Sequence, residues 1–543
     1  MRCKRTEVVP RHIRRPLLKS EDGFFISSSN RKGLIKMAVK ILMLVVFFCT
    51  MIGVGFYCKK HTTDVKGFVL GGRNVGPWLT AFAYGTSYFS AVIFVGYAGQ
   101  FGWKFGIAST WIGLGNAIIG SLLAWIVLGR RTRLQTQHLH TSTMPEYFGK
   151  RFNSTALKIV ASGIVFVFLI PYTASLYNGL SRLFEMAFDG ISYNVCVIVM
   201  AVLTGIYVIA GGYMATAIND FIQGIVMIIG IVAVIGAVLS GHGGFMASLK
   251  ELSQVEHEIP GAYASFFGPD PFGLLCVVIL TSLGTWGLPQ MVQKFYAIKS
   301  EKNISKGTII STVFAIIVAG GCYFLGGFGR ISGVAVEGGN PVGGFDTIIP
   351  QMLGGLGDVL IGIVIVLVLS ASMSTLSSLV LTSSSTLTLD MIRKHIIKNM
   401  SDKKQVFTMR IFVVVFIIIS AVIAINKDKL GYIADMMGIS WGALAGAFLA
   451  PFLYGLYFKW VTKLAVWVNF IFGSGLMVAN MLFRNNFPTA LQSPINCGAV
   501  ALLAGMVIVP LVSLISKKPE NVEEMFVCYE EKVTVPVKKA LGE

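Results

Sequence analysis

Long apolar stretches recur from one end of the chain to the other, separated by short polar segments. Most of them approach the roughly 20 residues that an α-helix needs to cross the hydrocarbon core of a bilayer. The pattern predicts an all-α polytopic membrane protein with about 13 transmembrane helices. The predicted spans cover approximately residues 38–58, 76–100, 105–129, 157–181, 191–211, 217–240, 271–297, 307–329, 355–389, 408–426, 430–458, 463–483 and 495–516.

The ninth predicted span differs from the others because it is rich in hydroxyl side chains. Its residues 370–388, SASMSTLSSLVLTSSSTLT, contain 12 serines and threonines within a run that carries no charge. Hydrocarbon does not solvate hydroxyls, so they must face other helices, a water-filled cavity or a bound ion. The serines at 370, 374, 377 and 378 share one face of a helix. This stripe of neutral oxygens suits a desolvated cation, and close packing of helices is the alternative.

Two further spans contain polar or helix-breaking residues where a helix should continue. The second span includes YGTSYFS at 84–90, and the seventh includes TSLGTWGLP at 281–289. Interrupted helices are tolerated where their free backbone groups line a cavity or bind an ion. Because the two spans lie five apart, each would begin a five-helix repeat, and an odd number of helices makes the repeats inverted. A simple proline kink is the alternative for the seventh span.

Composition supports the membrane assignment and narrows the function. The chain is 54% hydrophobic and 13% charged, with a mean hydropathy of +0.72. Its net charge of +19 reflects basic residues in alternate short loops, which predicts an external N-terminus and a cytoplasmic tail, not a nucleic-acid partner. The histidines lie in loops or tails, and no HExxH, nucleophile-elbow or Walker A motif is present. We therefore expect neither an enzyme nor an ATP-driven pump.

The ends of the chain are expected to lie outside a single transmembrane domain, residues 37–516. Residues 1–36 carry a net charge of +7, which opposes an external N-terminus. We therefore expect a disordered basic extension, and hypothesise that translation begins at Met37. Residues 517–543 are expected to form a short cytoplasmic tail without a fold of its own.

Four motifs in the same order resemble those of the sodium/solute symporter family, with bacterial sodium/proline symporters especially similar. They are GFVLGGRNVGPWLTA at 67–81, GGYMA at 211–215 followed by NDFIQ at 219–223, LPQMVQKFYA at 288–297, and MSTLSS at 373–378 followed by TLD at 388–390. The resemblance covers roughly residues 38–516. It implies a LeuT-type fold with a 5+5 inverted repeat in the plasma membrane, importing a small organic solute with sodium by alternating access.

The same resemblance implies where sodium binds. The main site would use the backbone carbonyls of Thr86, Phe89 and Ala371. It would add the hydroxyls of Ser374 and Thr375. A second sodium site, found in some members, would use Asp220, Ser377 and Ser378. For Asp220 the residues alone leave an alternative, in which its side chain caps the N-terminus of a helix.

The solute would lie beside the helix breaks. The candidate residues are Tyr88, Ser90, Asn116, Tyr172, Trp286 and Gln290, while Trp111 and Tyr177 are more typical of packing between helices. Tyr88 stands where the proline symporters carry an aspartate, which leaves proline itself in doubt. A fixed cation near the solute is missing unless Arg182 or Lys294 turns inward.

The solute class remains open between an amino acid, a carboxylate, pantothenate and a sugar. Proton coupling is the nearest alternative to sodium coupling, followed by an ion channel and a membrane sensor. We expect the lipid bilayer as surroundings, and no obligate protein partner.

Overall fold

The fold is described from a computed structural model, which covers residues 28–59, 64–188, 191–392, 400–426, 432–519 and 522–530. Long α-helices dominate, and the strands β1 (Val336–Glu337) and β2 (Asn340–Pro341) form one short antiparallel hairpin. The helices are α1 (Ser28–Cys58), α2 (Val65–Leu70), α3 (Pro77–Tyr88), α4 (Ala98–Phe105), α5 (Thr110–Gly115), α6 (Arg130–His138), α7 (Met144–Arg151), α8 (Thr155–Ala187), α9 (Tyr193–Gly241), α10 (Phe245–Ser253), α11 (Pro271–Ser282), α12 (Pro289–Tyr296), α13 (Lys302–Ala315), α14 (Gly321–Gly326), α15 (Ile348–Gly354), α16 (Asp358–Thr386), α17 (Asp402–Ile425), α18 (Ile433–Tyr457), α19 (Lys463–Leu482), α20 (Thr489–Gln492), α21 (Pro494–Ile515) and α22 (Glu523–Glu530).

Several of these helices are joined by wider π-helical or tighter 3₁₀ turns. The π-helical segments are Val92–Tyr97, Asn116–Leu123, Trp125–Gly129, Ile316–Gly320 and Leu387–Ile392. The 3₁₀ turns are Gly71–Arg73, Gly106–Ser109, Ala262–Ala264, Leu283–Gly287, Gly329–Ile331, Phe345–Thr347 and Arg484–Asn486.

The number of membrane-spanning helices differs from the sequence-based count. The described residues contain 10 helices that are long and apolar enough to span, or 11 with the bent pair Pro271–Gly287 and Pro289–Tyr296. The count of 13 is therefore not confirmed. The reason is that the 47-residue stretch Val92–His138 and the 49-residue helix α9 each run through two predicted spans.

Both long stretches contain a backbone break at a glycine with positive φ. Gly106 has φ +62°, and a Cβ there would lie 2.0 Å from the carbonyl oxygen of Tyr263, so only glycine fits. Gly212 turns the chain within α9 at φ 53° and ψ −149°. A straight helix of either length would extend about 70 Å at about 1.5 Å per residue, more than twice the hydrocarbon thickness of about 30 Å, so each stretch is long enough for two crossings.

Both helix interruptions expected from the sequence are confirmed. Helix α3 ends at Tyr88, Phe89 is extended at φ −92° and ψ 117°, and helical structure resumes at Val92. In the other span a 3₁₀ turn leads to Leu288, which is extended at φ −85° and ψ 120°, before α12 begins at Pro289. The two parts of that span meet at 45°.

The hydroxyl-rich helix α16 lies in the interior of the bundle. It packs against α8, α9, α1, α17 and the broken helix α3. All 12 hydroxyl-bearing residues of 370–388 are buried, so the expectation that they avoid lipid is confirmed. Helix α16 therefore presents its hydroxyls to the helices that pack around it.

The ends of the chain are only partly described. Helix α1 begins at Ser28, inside the predicted extension 1–36, and residues 1–27 and 531–543 lie outside the described part. In the C-terminal tail, α22 packs on α6, where the ring nitrogen Nε2 of His138 lies 2.8 Å from the carbonyl oxygen of Glu524. The domain boundaries, the start at Met37 and the orientation of the termini stay predictions.

Candidate functional site

Three backbone carbonyls converge on one hydroxyl across the break in the first interrupted span. Thr375 Oγ1, on α16, lies 3.2 Å from the carbonyl oxygen of Thr86 and 3.3 Å from that of Phe89. It also lies 3.1 Å from the carbonyl oxygen of Ala371, one turn earlier on its own helix. Four of the five oxygens expected for the main sodium site are therefore together.

The break in the helix explains why the carbonyls of Thr86 and Phe89 point at α16, whereas that of Ala371 accepts from Thr375 one turn later on the same helix. Phe89 leaves the helical conformation, so the regular bonding of each carbonyl to the amide four residues later is interrupted. Thr375 has a single hydroxyl hydrogen and can donate to one carbonyl at a time. Spare lone pairs of neutral oxygen remain, and this is a donor set that hard cations accept.

The fifth expected oxygen, the hydroxyl of Ser374, forms no hydrogen bond with this group and lies beside another residue. Ser374 is buried, and its hydroxyl makes no hydrogen bond with any described residue. It lies beside the carboxylate of Asp220. Ser374 precedes Thr375 in the sequence, while its hydroxyl faces the acidic side chain proposed for a second ion.

Asp220 is not the cap of a helix, so that interpretation is wrong. It lies deep inside α9, 27 residues after its first residue Tyr193, and its side chain is fully buried. Neither carboxylate oxygen forms a hydrogen bond with a described residue. An acid in this setting needs a nearby positive charge.

That positive charge is Lys294, whose side chain turns inward to Asp220; its place relative to the solute stays a prediction. Its Nζ lies 3.8 Å from Oδ2 of Asp220, and both side chains are buried. The same Nζ donates a hydrogen bond of 3.0 Å to Oγ of Ser378. Ser378 in turn lies 2.9 Å from the hydroxyl of Ser87 on α3.

The three residues expected for a second sodium site are thus only partly gathered. Ser378 and Asp220 meet at the ammonium group of Lys294. Ser377 instead donates a hydrogen bond of 2.8 Å to the carbonyl of Ser374 and lies beside the hydroxyl of Tyr207. The structure therefore shows an ammonium group at the position where the second ion was expected.

A second polar cluster lies on the other side of the first break. The side chains of Ser90 and Tyr172 are buried next to each other, and Tyr172 contacts Trp441 edge to face with ring centroids 5.9 Å apart. None of their polar side-chain atoms, nor that of Ser440, completes a hydrogen bond within the described chain. Sequence analysis missed Ser440 and Trp441, although buried polar atoms within an apolar span were a detectable signal.

Two of the remaining solute candidates bond elsewhere, one is buried without a partner for its oxygen, and one has no described side chain. Asn116 accepts a hydrogen bond of 3.0 Å from Ser282, and Trp286 donates one of 3.0 Å to the carbonyl of Ile119. These bonds tie the segment after α5 to the second interrupted span. The Oε1 atom of Gln290 is buried without a hydrogen-bond partner among the described residues, and the side chain of Tyr88 lies outside the described part.

Of the two residues expected to pack between helices, Trp111 contacts a loop residue and Tyr177 lies in the core. Trp111 donates a hydrogen bond of 2.9 Å from Nε1 to the carbonyl of Phe266 and contacts its ring. Tyr177 is fully buried in the core.

Comparison with known proteins identifies the family. The sequence profile of the sodium:solute symporter family matches residues 68–473. This chain belongs to that family. The symporter is 28% identical to the osmoregulated proline transporter OpuE of Bacillus subtilis over 88% of its own chain and 95% of the relative. It is 30% identical to the sodium/proline symporter of Staphylococcus aureus strain JH9, over 78% and 82% of the two chains.

Solved structures show the same fold. A sodium-coupled sialic acid symporter, in a substrate-bound outward-open state, matches with a TM-score of 0.68 at 17% identity, over 88% of this symporter and 98% of that chain. The nucleobase-cation-symport-1 family transporter Mhp1, in a closed conformation, matches with a TM-score of 0.50 at 15% identity, over 86% and 98% of the two chains. The symporter therefore has the LeuT fold of these transporters.

Proposed function

We propose that this protein is a sodium-coupled secondary active symporter that imports a small organic solute across the plasma membrane. The observation that carries the proposal is the convergence of the carbonyls of Thr86, Phe89 and Ala371 on the hydroxyl of Thr375. Sodium at this position would use these four oxygens together with that of Ser374. The ligands are all neutral, which favours a modest affinity and permits release of the ion.

The proposed ion site joins two elements that alternating access would move relative to each other. Thr86 and Phe89 belong to the broken first span, whereas Ala371, Ser374 and Thr375 belong to α16. Sodium from outside would tie the two together and favour the outward-open state with a formed solute site. Coupling then follows if ion and solute both bind that state more tightly than the inward-open state.

The driving force would come from the ion gradient and the membrane potential. An inside-negative potential adds about 2.3 kcal/mol per sodium ion per 100 mV. We propose 13 crossings, with the long stretches divided at Gly106 and Gly212, arranged as a 5+5 inverted repeat. The N-terminus would lie outside and the tail in the cytoplasm.

We place the solute against the buried polar cluster of Ser90, Tyr172 and Trp441. Buried polar atoms without partners are unfavourable, and a solute with hydroxyl, carboxylate or amino groups would satisfy them. The aromatic faces of Tyr172 and Trp441 would contact its apolar part. An amino acid of the proline type carries such polar and apolar groups. The named relatives transport proline, which supports the same solute class.

Proton-coupled transport by the same fold is a second candidate. The observation in its favour is the buried pair of Asp220 and Lys294, because two adjacent titratable groups can exchange a proton as their surroundings change.

Gradient-driven uptake into proteoliposomes distinguishes the two. Purified protein is tested with radiolabelled L-proline, a carboxylate, pantothenate and a sugar, under a sodium gradient or a pH gradient alone. We expect uptake of one solute class that requires the sodium gradient. Uptake driven by the pH gradient in sodium-free buffer would refute sodium coupling.

A further inference from the structure

The ammonium group of Lys294 is held at the junction of three elements. Lys294 lies on α12, in the second interrupted span, and its side chain is only 3% exposed. Its Nζ donates to Ser378 on α16 at 3.0 Å and lies 3.8 Å from Oδ2 of Asp220 on α9. It also lies 5.2 Å from the centre of the ring of Tyr213, a favourable position for a cation.

The surroundings of Asp220 make this ammonium group its counter-charge. Both carboxylate oxygens lack a hydrogen bond from the described residues, and a buried carboxylate needs a compensating positive charge. Lys294 is the cation that the described residues place against it. Removing either partner alone would leave an uncompensated charge in the core.

The same position is unsuitable for a sodium ion while Lys294 is charged. A sodium ion bound to Asp220 and Ser378 would lie about 4 Å from the ammonium group. Repulsion between two unit charges at that distance weakens binding about a thousandfold in partly buried surroundings. The main site differs because its oxygens come from Thr86, Phe89, Ala371 and Thr375, of which none is charged.

We propose that Lys294 is a tethered cation that takes the place of a second sodium ion, so that this transporter binds and moves one sodium ion per cycle. The inference rests on the proposed sodium coupling. It also assigns a positioning role: through Ser378 and Ser87, the ammonium group joins α12 to α16 and α3. A second ion would make this connection only when bound, whereas Lys294 makes it permanently.

Equilibrium binding of ²²Na⁺ to the purified full-length protein in lipid nanodiscs tests the proposal without requiring the solute. We expect one ion per wild-type protein and a Hill coefficient of 1. Lys294→Gln removes the charge and offers an amide oxygen, so we expect a second bound ion and a Hill coefficient above 1. The matched control is Lys299→Gln, which makes the same change at an exposed position five residues later and should still bind one ion.

The outcomes separate this inference from the proposed function. Two ions bound to the wild-type protein, or one ion bound to a folded Lys294→Gln variant, would overturn the tethered-cation role while leaving sodium coupling intact. No saturable sodium binding to the wild-type protein would refute the proposed function itself. If Lys294→Gln does not fold, the wild-type count decides alone, with one ion in support and two ions against.

Discussion

Removing the hydroxyl of Thr375 is the most direct perturbation of the proposed sodium site. In the wild-type protein this oxygen lies between 3.1 and 3.3 Å from three carbonyl oxygens. Thr375 is fully buried, so water cannot replace the missing ligand in Thr375→Ala. Loss of one hydrogen-bonding oxygen to a charged group costs about 1.5–3 kcal/mol, which corresponds to an affinity about 10- to 150-fold weaker.

The assay is the midpoint of ²²Na⁺ binding to purified protein, checked by sodium-dependent uptake in proteoliposomes. Thr375→Ser keeps the oxygen and should retain a midpoint near that of the wild type. Ser383→Ala is a matched control, because it removes another buried hydroxyl of α16 that has no hydrogen-bond partner among the described residues. An unchanged midpoint in folded Thr375→Ala, or an equal shift in Ser383→Ala, would refute the assigned ligand role.

Three further predictions concern other parts of the molecule. Tyr172→Phe should raise the KM for the transported solute about 3- to 10-fold, the effect of one lost hydrogen bond, and leave the midpoint of sodium binding unchanged. Asp346, in the loop before α15, accepts a hydrogen bond from the amide of Ile433, and burial raises its pKa from 3.8 to about 6. Because the folded protein holds this proton more tightly than the unfolded chain does, its contribution to stability is present below about pH 4. It is lost as pH rises to about 6, a change of about 3 kcal/mol. Asp346→Asn should remove that part of the pH dependence of thermal unfolding. Arg131 lies between the rings of Tyr457 and Tyr529, at 4.0 and 4.6 Å, so Arg131→Ala should release α22 and speed amide hydrogen exchange there.

Each of these predictions has a result that contradicts it. An equal loss of sodium and solute affinity in Tyr172→Phe would indicate a structural role rather than a solute contact. An Asp346→Asn variant whose stability still falls from pH 4 to 6 as in the wild type would assign that titration to another group. Unchanged exchange of α22 in Arg131→Ala would show that the remaining contacts with α6 hold it.

The local features of the chain were readable from the sequence because local physics produces them. The extended residues Phe89 and Leu288 lie where serine, glycine and proline interrupt two apolar spans, and the predicted interruptions are confirmed there. The burial of the hydroxyl-rich helix followed from the poor solvation of hydroxyls in lipid. The grouping of the Thr375 hydroxyl with three carbonyl oxygens was expected only from the family resemblance, since no local pattern reveals which carbonyls a hydroxyl 289 residues away will meet.

Other features of the protein follow only from the tertiary structure, because they depend on packing between segments that are distant in the sequence. The side chain of Lys294 enters the core because Ser378, 84 residues later, and Asp220 meet it there. The pattern of apolar and polar residues along α12 does not indicate that the side chain of Lys294 points inward. Trp441 meets Tyr172 and Ser90 for the same reason. The sequence by itself therefore determined the membrane class, the interrupted helices and the hydroxyl-rich helix, which arise from composition and short-range periodicity. The structure decided which cation faces Asp220 and which polar groups lie beside Tyr172, because those contacts exist only after the helices have packed.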